Sequence, residues 1–174
     1  MPSIAGGMES PLDIELMKSG LHPKKQLHLA WGEFLYRYRW EWFVTLTFAE
    51  DVGIEAAVKK QRYWCNLLAK EIYGRKWATN GSLYWVSALE YQKNGRIHFH
   101  VLIKGVKHSH RLRWMDRWHK MDIFTGFARI EPVKNRRNSG LYVAKYVSKG
   151  CEINFSPNLS DITRDLVAQA EGLS

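Results

Sequence analysis

The stretch Glu90-Tyr-Gln-Lys-Asn-Gly-Arg-Ile-His-Phe-His100 decides how the rest of the chain is interpreted, because it has the pattern of a β-hairpin. Lys93-Asn94-Gly95 suits a three-residue loop in which the glycine takes the positive φ angle that such loops require. Because side chains alternate along a strand, this loop predicts two faces. The predicted polar face holds Glu90, Gln92, Arg96, His98 and His100, and the predicted core face holds Tyr91, Ile97, Phe99 and Val101.

The polar face of this hairpin has the ligands of a divalent metal site. A carboxylate and two imidazoles can share a cation, and the remaining coordination positions could hold a substrate oxygen. Glu90, His98 and His100 are the predicted ligands, with Gln92 as an alternative to Glu90, although a carboxylate suits a hard cation better. The competing interpretation is a partly exposed histidine pair that binds no metal, which is common for an isolated His-x-His in a strand.

A second cluster of reactive side chains lies in Tyr142-Val-Ala-Lys145-Tyr146, followed by Lys149. The spacing i, i+3, i+4, i+7 puts both tyrosines and both lysines on one face of a helix. Tyrosine can act as a covalent nucleophile, and a neighbouring lysine or a metal-bound phosphate would stabilise its phenolate. The alternative is a structural helix whose tyrosine rings pack and whose lysines are solvated.

Composition narrows the class of protein. The 174 residues suit one domain, and the net charge of +9 is uneven: residues 91–150 hold 14 Lys/Arg and 3 Asp/Glu, a balance of +11. Such a basic region predicts a polyanionic partner, most simply nucleic acid. Two distant cysteines predict reduced thiols. No secretory signal and no apolar stretch of membrane-spanning length is visible, so we expect a cytoplasmic protein without a membrane partner.

Hydrophobic periodicity predicts an α+β fold with a central antiparallel sheet and packed helices, ferredoxin-like or RRM-like in arrangement. Predicted helices cover residues 23–38, 51–73, 111–121 and 140–149, the last capped by Asn138 or Ser139, and predicted strands cover 42–48, 83–91, 96–104 and 127–133. We expect a weakly ordered segment over 1–22, a folded domain over 23–155 and a tail over 156–174 with a helical pattern at 159–169.

Three motifs resemble, in order and spacing, those of HUH endonucleases, a superfamily named for its His-hydrophobic-His motif. They are Phe43-Val-Thr-Leu-Thr-Phe48, Glu90 with His98-Phe-His100, and Tyr142-Val-Ala-Lys145-Tyr146. Within the superfamily, the pattern is similar to the rolling-circle replication initiator (Rep) proteins of plasmids, single-stranded DNA viruses and phages. The resemblance spans residues 42–150 and implies an antiparallel sheet that carries the histidines, with the tyrosine helix across it.

The resemblance also implies a mechanism. Mg²⁺ or Mn²⁺ held by Glu90, His98 and His100 would polarise a phosphate of single-stranded DNA, and Tyr142 would attack it. The product would be a 5′-phosphotyrosine link and a free 3′-hydroxyl, so that site-specific nicking and joining need no ATP. Lys145 would stabilise the phosphate or phenolate. Tyr146 resembles the second tyrosine of phage-type initiators, in which two tyrosines alternate.

The implied partner is the single-stranded DNA of a replication origin, with or without a hairpin, and a host helicase and polymerase would act with the protein. The candidate DNA contacts are Arg96, Lys104, Lys107, Arg111, Arg113, Arg136, Arg137 and Lys149. Two alternatives stay open: a non-catalytic RRM-like module that binds single-stranded nucleic acid, and an HUH transposase or relaxase. Only an enzyme requires the metal ligands and paired tyrosines, so loss of activity in EDTA separates it from a binding module.

Overall fold

The computed structural model describes residues 23–149 and 151–159. The predicted weakly ordered segment 1–22 and residues 160–169 of the predicted tail helix lie outside the described residues. In the described part of the chain, no helix is both long enough and apolar enough to cross a membrane.

Residues 23–149 and 151–159 contain four helices and five strands, and their order follows the predicted pattern. The helices are α1 (Pro23–Tyr36), α2 (Ile54–Tyr73), α3 (Arg111–His119) and α4 (Arg136–Ser148). The strands are β1 (Trp42–Phe48), β2 (Tyr84–Tyr91), β3 (Ile97–Lys104), β4 (Thr125–Pro132) and β5 (Ile153–Phe155). One 3-10 turn and one α-helical turn, which lie in residues 74–80, connect α2 to β2.

The strands form one antiparallel sheet in the order β4-β1-β3-β2-β5. The first four strands and their connecting helices have the ferredoxin-like arrangement, so the predicted α+β fold is confirmed. The hairpin is confirmed as well: Gly95 has φ +82°, and Gln92 N–H donates to the Arg96 carbonyl at 2.8 Å. β5, which sequence patterning did not predict, extends the sheet beside β2.

Alternating side chains give the sheet two buried faces. On one face, β1 residues such as Val44 and Leu46 pack with α2 and α3, around Trp64, Trp114 and Trp118. Trp64 contacts both other indoles edge to face, with centroids 5.8 and 6.4 Å apart. Aromatic pairs of this kind contribute about 0.5–1.5 kcal/mol beyond their buried area.

The opposite face carries the predicted metal ligands, and α1 and α4 pack over part of it. Val143, Ala144 and Tyr146 of α4 share a second core with Val86, Leu102 and residues of α1. The two helices cross closely where Gly32 faces Leu141, since a Cβ at Gly32 would come within 2.3 Å of that leucine side chain. This crossing holds α4 against β2 and β3.

Two sequence-based expectations need correction. Helix α4 begins at Arg136, because the Asn135 side chain accepts the Asn138 N–H at 3.1 Å and so caps the helix three residues earlier than predicted. Tyr91 does not join the core face but is exposed, because it ends β2 at the mouth of the hairpin. Ile97, Phe99 and Val101 are buried on that face as predicted.

Candidate metal centre and tyrosine pair

Strands β2 and β3 bring the three predicted metal ligands together. Glu90 lies directly opposite His98 in the hairpin register, and His100 follows two residues later on the same face. Glu90 Oε2 is 2.7 Å from His98 Nε2 and 3.2 Å from His100 Nε2. One ligand atom from each residue lies within 4.8 Å of the other two, so the three side chains can share one ion.

The protonation states of this cluster suit metal binding. Burial alone would raise the pKa of Glu90, but hydrogen bonds from His98, Tyr146 and His100 outweigh it and lower the pKa to about 2. Burial lowers the pKa of His100 to about 4, and the neighbouring His98 lowers it further. At neutral pH the site therefore has an ionised carboxylate and a neutral imidazole, the forms that coordinate Mg²⁺ or Mn²⁺.

Helix α4 brings its two tyrosines onto the histidine cluster. The Tyr146 ring stacks on His100 with centroids 5.0 Å apart and planes 13° apart, and its side chain is 0% exposed. Tyr142 meets the same imidazole edge-on at 5.2 Å and is 39% exposed. The two phenol oxygens are 3.1 Å apart. Metal ligands and phenols thus form one continuous site with one phenol open to solvent.

Comparison with known proteins gives the family. The model of the family described as replication-associated protein ORF2/G2P matches residues 41–151, which is more than half of the chain. The chain belongs to this replication-associated family. The match contains all three metal-ligand candidates and both tyrosines, and it supports a replication-initiator role. No curated protein and no solved structure gave a significant match to the chain.

In this replication-associated protein, lysines surround the tyrosine pair. Lys145 Nζ lies 3.6 Å from the Tyr142 ring centroid and 4.6 Å from that of Tyr146. Lys149 Nζ is 3.8 Å from Glu90 Oε1. Burial raises the pKa of Tyr146, and its hydrogen bonds with Tyr142 and Glu90 raise it further. The buried phenol is therefore held protonated, whereas the exposed phenol lies beneath an ammonium group.

Four of the predicted DNA contacts lie on or beside the face that carries the site. Besides Lys149, Arg96 directly precedes β3, and Arg137 lies on α4 with its guanidinium 3.6 Å from Glu33. Arg111 donates to the Ile130 carbonyl and borders a groove between β4 and α4. These four residues could contact a strand that passes through the site.

The remaining candidates lie farther away. Lys104 is six residues beyond His98 on β3, about 20 Å along the strand, and stacks over Tyr84. Lys107 contacts the Tyr73 ring of α2, on the other layer of the fold. Arg113 makes an ion pair with Glu71 at 2.8 Å in that same layer. The side chain of Arg136 lies outside the described residues, although its backbone begins α4.

Phe43 was not among the predicted site residues, although it begins the first of the three motifs. Phe43 stacks on His100 at 5.8 Å and meets Tyr142 edge-on at 5.3 Å. Thr45 lies opposite His100, with its hydroxyl 3.4 Å from His100 Nδ1. Alternation along β1 did assign both residues to the face opposite Val44, and the missing information was which strand would pair beside β1.

Proposed function

We propose that this protein starts rolling-circle replication by nicking and rejoining single-stranded DNA at an origin, through a covalent 5′-phosphotyrosine intermediate. The observation that carries the proposal is the position of Tyr142, whose exposed phenol adjoins a Glu–His–His cluster suited to a divalent ion. Membership of a replication-associated family supports the role, and the basic region over residues 91–150 supports DNA as the partner. The proposed catalytic domain covers residues 23–155.

Glu90, His98 and His100 would hold Mg²⁺ or Mn²⁺, because they offer one carboxylate and two imidazole ligands that converge. When bound, the ion would supply a Lewis acid that polarises the scissile phosphate. The protein fixes this ligand set through the hairpin register and through Thr45, whose hydroxyl lies beside the second nitrogen of His100. Phe43 and Tyr146 both stack on the His100 ring.

In the cleavage step, Tyr142 Oη forms a bond to phosphorus and gives up its proton to water. The bond between phosphorus and the 3′ oxygen breaks, and that oxygen takes a proton and leaves as a 3′-hydroxyl. Lys145, which lies over the Tyr142 ring, stabilises the developing phenolate charge. Attack by a 3′-hydroxyl on the phosphotyrosine reverses the step, so joining needs no ATP. A polymerase can extend the free 3′-hydroxyl, while a host helicase unwinds the template.

Tyr146 is the proposed second nucleophile. Its phenol is buried, hydrogen-bonded to Tyr142 and Glu90, and held protonated, so it is poorly placed to act first. Attachment of DNA to Tyr142 would move that phenol and break the bond between the two hydroxyl groups. The order of action is therefore Tyr142 in the first cleavage and Tyr146 in a second cleavage that transfers the strand.

The proposal is tested by incubating the protein with single-stranded oligonucleotides from its own replicon, with Mn²⁺ or with EDTA. We expect a denaturant-resistant adduct only with Mn²⁺, and peptide mass spectrometry should place the DNA on Tyr142. Tyr142→Phe should form none in the first cleavage, whereas Tyr63→Phe, an exposed tyrosine on α2, should behave like the parent. Tight metal-independent binding without an adduct on any origin fragment would favour the non-catalytic binding module instead.

A further inference from the structure

The half of the sheet face beside the metal ligands is open along its edge strand, β4. Helices α1 and α4 share a core with residues of β2 and β3, but the β4 side chains on this face, Phe127, Arg129 and Glu131, are all exposed. We propose that this open half-sheet is a stacking platform for the DNA strand, on which Phe127 holds an unpaired base and Arg129 contacts a phosphate. Single-stranded DNA as the occupant rests on the proposed function.

The backbone of Phe127 is held in place while its ring faces solvent. Its side chain is 61% exposed, but its backbone makes two hydrogen bonds with one hydroxyl group. Thr47 Oγ1 donates to the Phe127 carbonyl at 2.9 Å and accepts the Phe127 N–H at 2.9 Å. Because its backbone is already fixed, Phe127 loses only side-chain freedom when a base stacks on its ring.

The same threonine fixes the ring relative to the metal site. Thr47 lies opposite His98 in the register of β1 and β3, and Glu90 lies opposite His98 on the other side. Glu90, His98, Thr47 and Phe127 therefore form a row across four strands. At about 4.8 Å between strands, Phe127 is about 10 Å from His98, close enough for a nucleotide next to the scissile phosphate.

A β-bulge produces this arrangement. Between the pairs Leu46–Ala128 and Phe48–Thr125, β1 has one residue and β4 has two, Gly126 and Phe127. A Cβ at Gly126 would lie 2.6 Å from Thr47 Oγ1, so only glycine permits the approach that lets the hydroxyl reach Phe127. Bulges beside active sites commonly redirect a side chain, and this one directs an aromatic ring outward.

Positive charges on and beside β4 outnumber the single carboxylate there, which favours a polyanion over a second protein. Arg129 lies opposite Thr45, in the row of His100, and its guanidinium donates to Glu131 at 2.9 Å. Both partners are exposed, and such surface pairs contribute at most about 1 kcal/mol, so a phosphate can replace the carboxylate. Glu131 also lines a groove of about 490 Å³, together with Arg111, Lys134, Asn135 and Asn138. The platform thus continues into a polar groove whose lining carries two positive charges and one negative charge.

Base stacking can be measured separately from phosphate contact and from cleavage. The full chain, kept in EDTA, is titrated by fluorescence anisotropy with oligo(dT) of about 12 nucleotides and with an abasic strand of equal phosphate number. The parent should prefer oligo(dT). Phe127→Ala should reduce that preference about ten-fold and leave binding of the abasic strand unchanged. Phe127→Trp should keep the preference, and Tyr63→Ala is the matched control, since Tyr63 is 56% exposed on α2, on the opposite layer.

Arg129→Gln should instead weaken the binding of oligo(dT) and of the abasic strand equally, and it should reduce the salt dependence of binding by about one counterion. A parent protein that binds the two strands equally would overturn the proposal, and so would a Phe127→Ala variant that keeps the full preference. A parallel loss on both strands in Phe127→Ala would show that the ring acts on folding or on a protein partner. Because no metal is present, failure to form any phosphotyrosine leaves this test unaffected.

Discussion

Replacing each tyrosine of the pair by phenylalanine should separate nucleophile from support, because each change removes one hydroxyl and keeps the ring. Tyr142→Phe should abolish the first covalent adduct. Tyr146→Phe should keep the first adduct but prevent the second cleavage, which transfers the strand. The difference follows from exposure: one phenol faces solvent, and the other is enclosed by His100, Glu90 and its partner.

The two changes should also differ in their effect on the free energy of unfolding. The Tyr146 hydroxyl bonds to an ionised carboxylate, and such hydrogen bonds contribute about 1.5–3 kcal/mol. Glu90 keeps two histidine partners, so we expect a loss near the lower limit, about 1–2 kcal/mol. Tyr142 is 39% exposed and its hydroxyl can be hydrated, so its removal should change stability by less than about 0.5 kcal/mol.

Urea unfolding in EDTA measures the stability of each variant. Two origin oligonucleotides of different length measure the two cleavages separately. The first oligonucleotide becomes attached to the protein, and the second is cut only if another tyrosine is still free to act. If Tyr142→Phe forms an adduct on Tyr146 at the parental rate, the assigned order is wrong. If Tyr146→Phe keeps its stability yet forms no first adduct, the buried tyrosine is itself needed for the first cleavage.

Further expectations concern the metal ligands and the thiols. Mn²⁺ at about 100 times its Kd should add about 2.7 kcal/mol to the free energy of unfolding, seen as a higher Tm. His98→Ala should lose this shift in Tm. If the variant keeps the shift, the ligand assignment is wrong. Because the pKa of Glu90 is lower in the folded state, the ionised carboxylate stabilises the fold. This contribution to the free energy of unfolding is fully present above about pH 4.5 and is lost toward pH 2. Because Glu90 is partly exposed, the loss of stability is limited to about 1–2 kcal/mol. Glu90→Gln should abolish this dependence of the urea midpoint on pH, measured without metal. If the variant keeps the pH profile of the parent, Glu90 is not its cause. A thiol reagent should label native protein at Cys151 only, because Cys65 is buried and its pKa is raised to about 12; rapid double labelling by mass spectrometry contradicts this.

Local signals were sufficient to predict that Glu90, His98 and His100 would converge. Glu90, His98 and His100 lie within one hairpin, so loop length and strand alternation alone bring them together. The start of α4 was predicted too late because two downstream side chains, Asn138 and Ser139, could also have capped a helix, and the structure uses Asn135. β5 has only three residues and takes its hydrogen bonds from the edge of β2, so no periodicity could show it.

Contacts between distant segments were beyond sequence reasoning. Helical spacing placed both tyrosines on one face, but it could not show that Tyr146 would be buried against a strand some forty residues earlier. Likewise, Thr47 and Phe127 are separated by 80 residues, and a bulge sets their contact. A bulge shifts the pairing of two strands by one residue. Side-chain alternation within β4 therefore could not predict which β1 residue each β4 residue lies opposite.

The division of the sheet face explains why the reactive groups lie where they do. The cover of α1 and α4 over β2 and β3 lets the protein bury Tyr146, stack it on His100 and hold Glu90 ionised before substrate arrives. Such preorganisation would reduce the rearrangement needed in the proposed reaction. Helices that also covered β4 would block the proposed path of a DNA strand to Tyr142. The exposed tyrosine therefore belongs at the boundary between the two halves, where its ring contacts both His100 on β3 and Phe43 on β1.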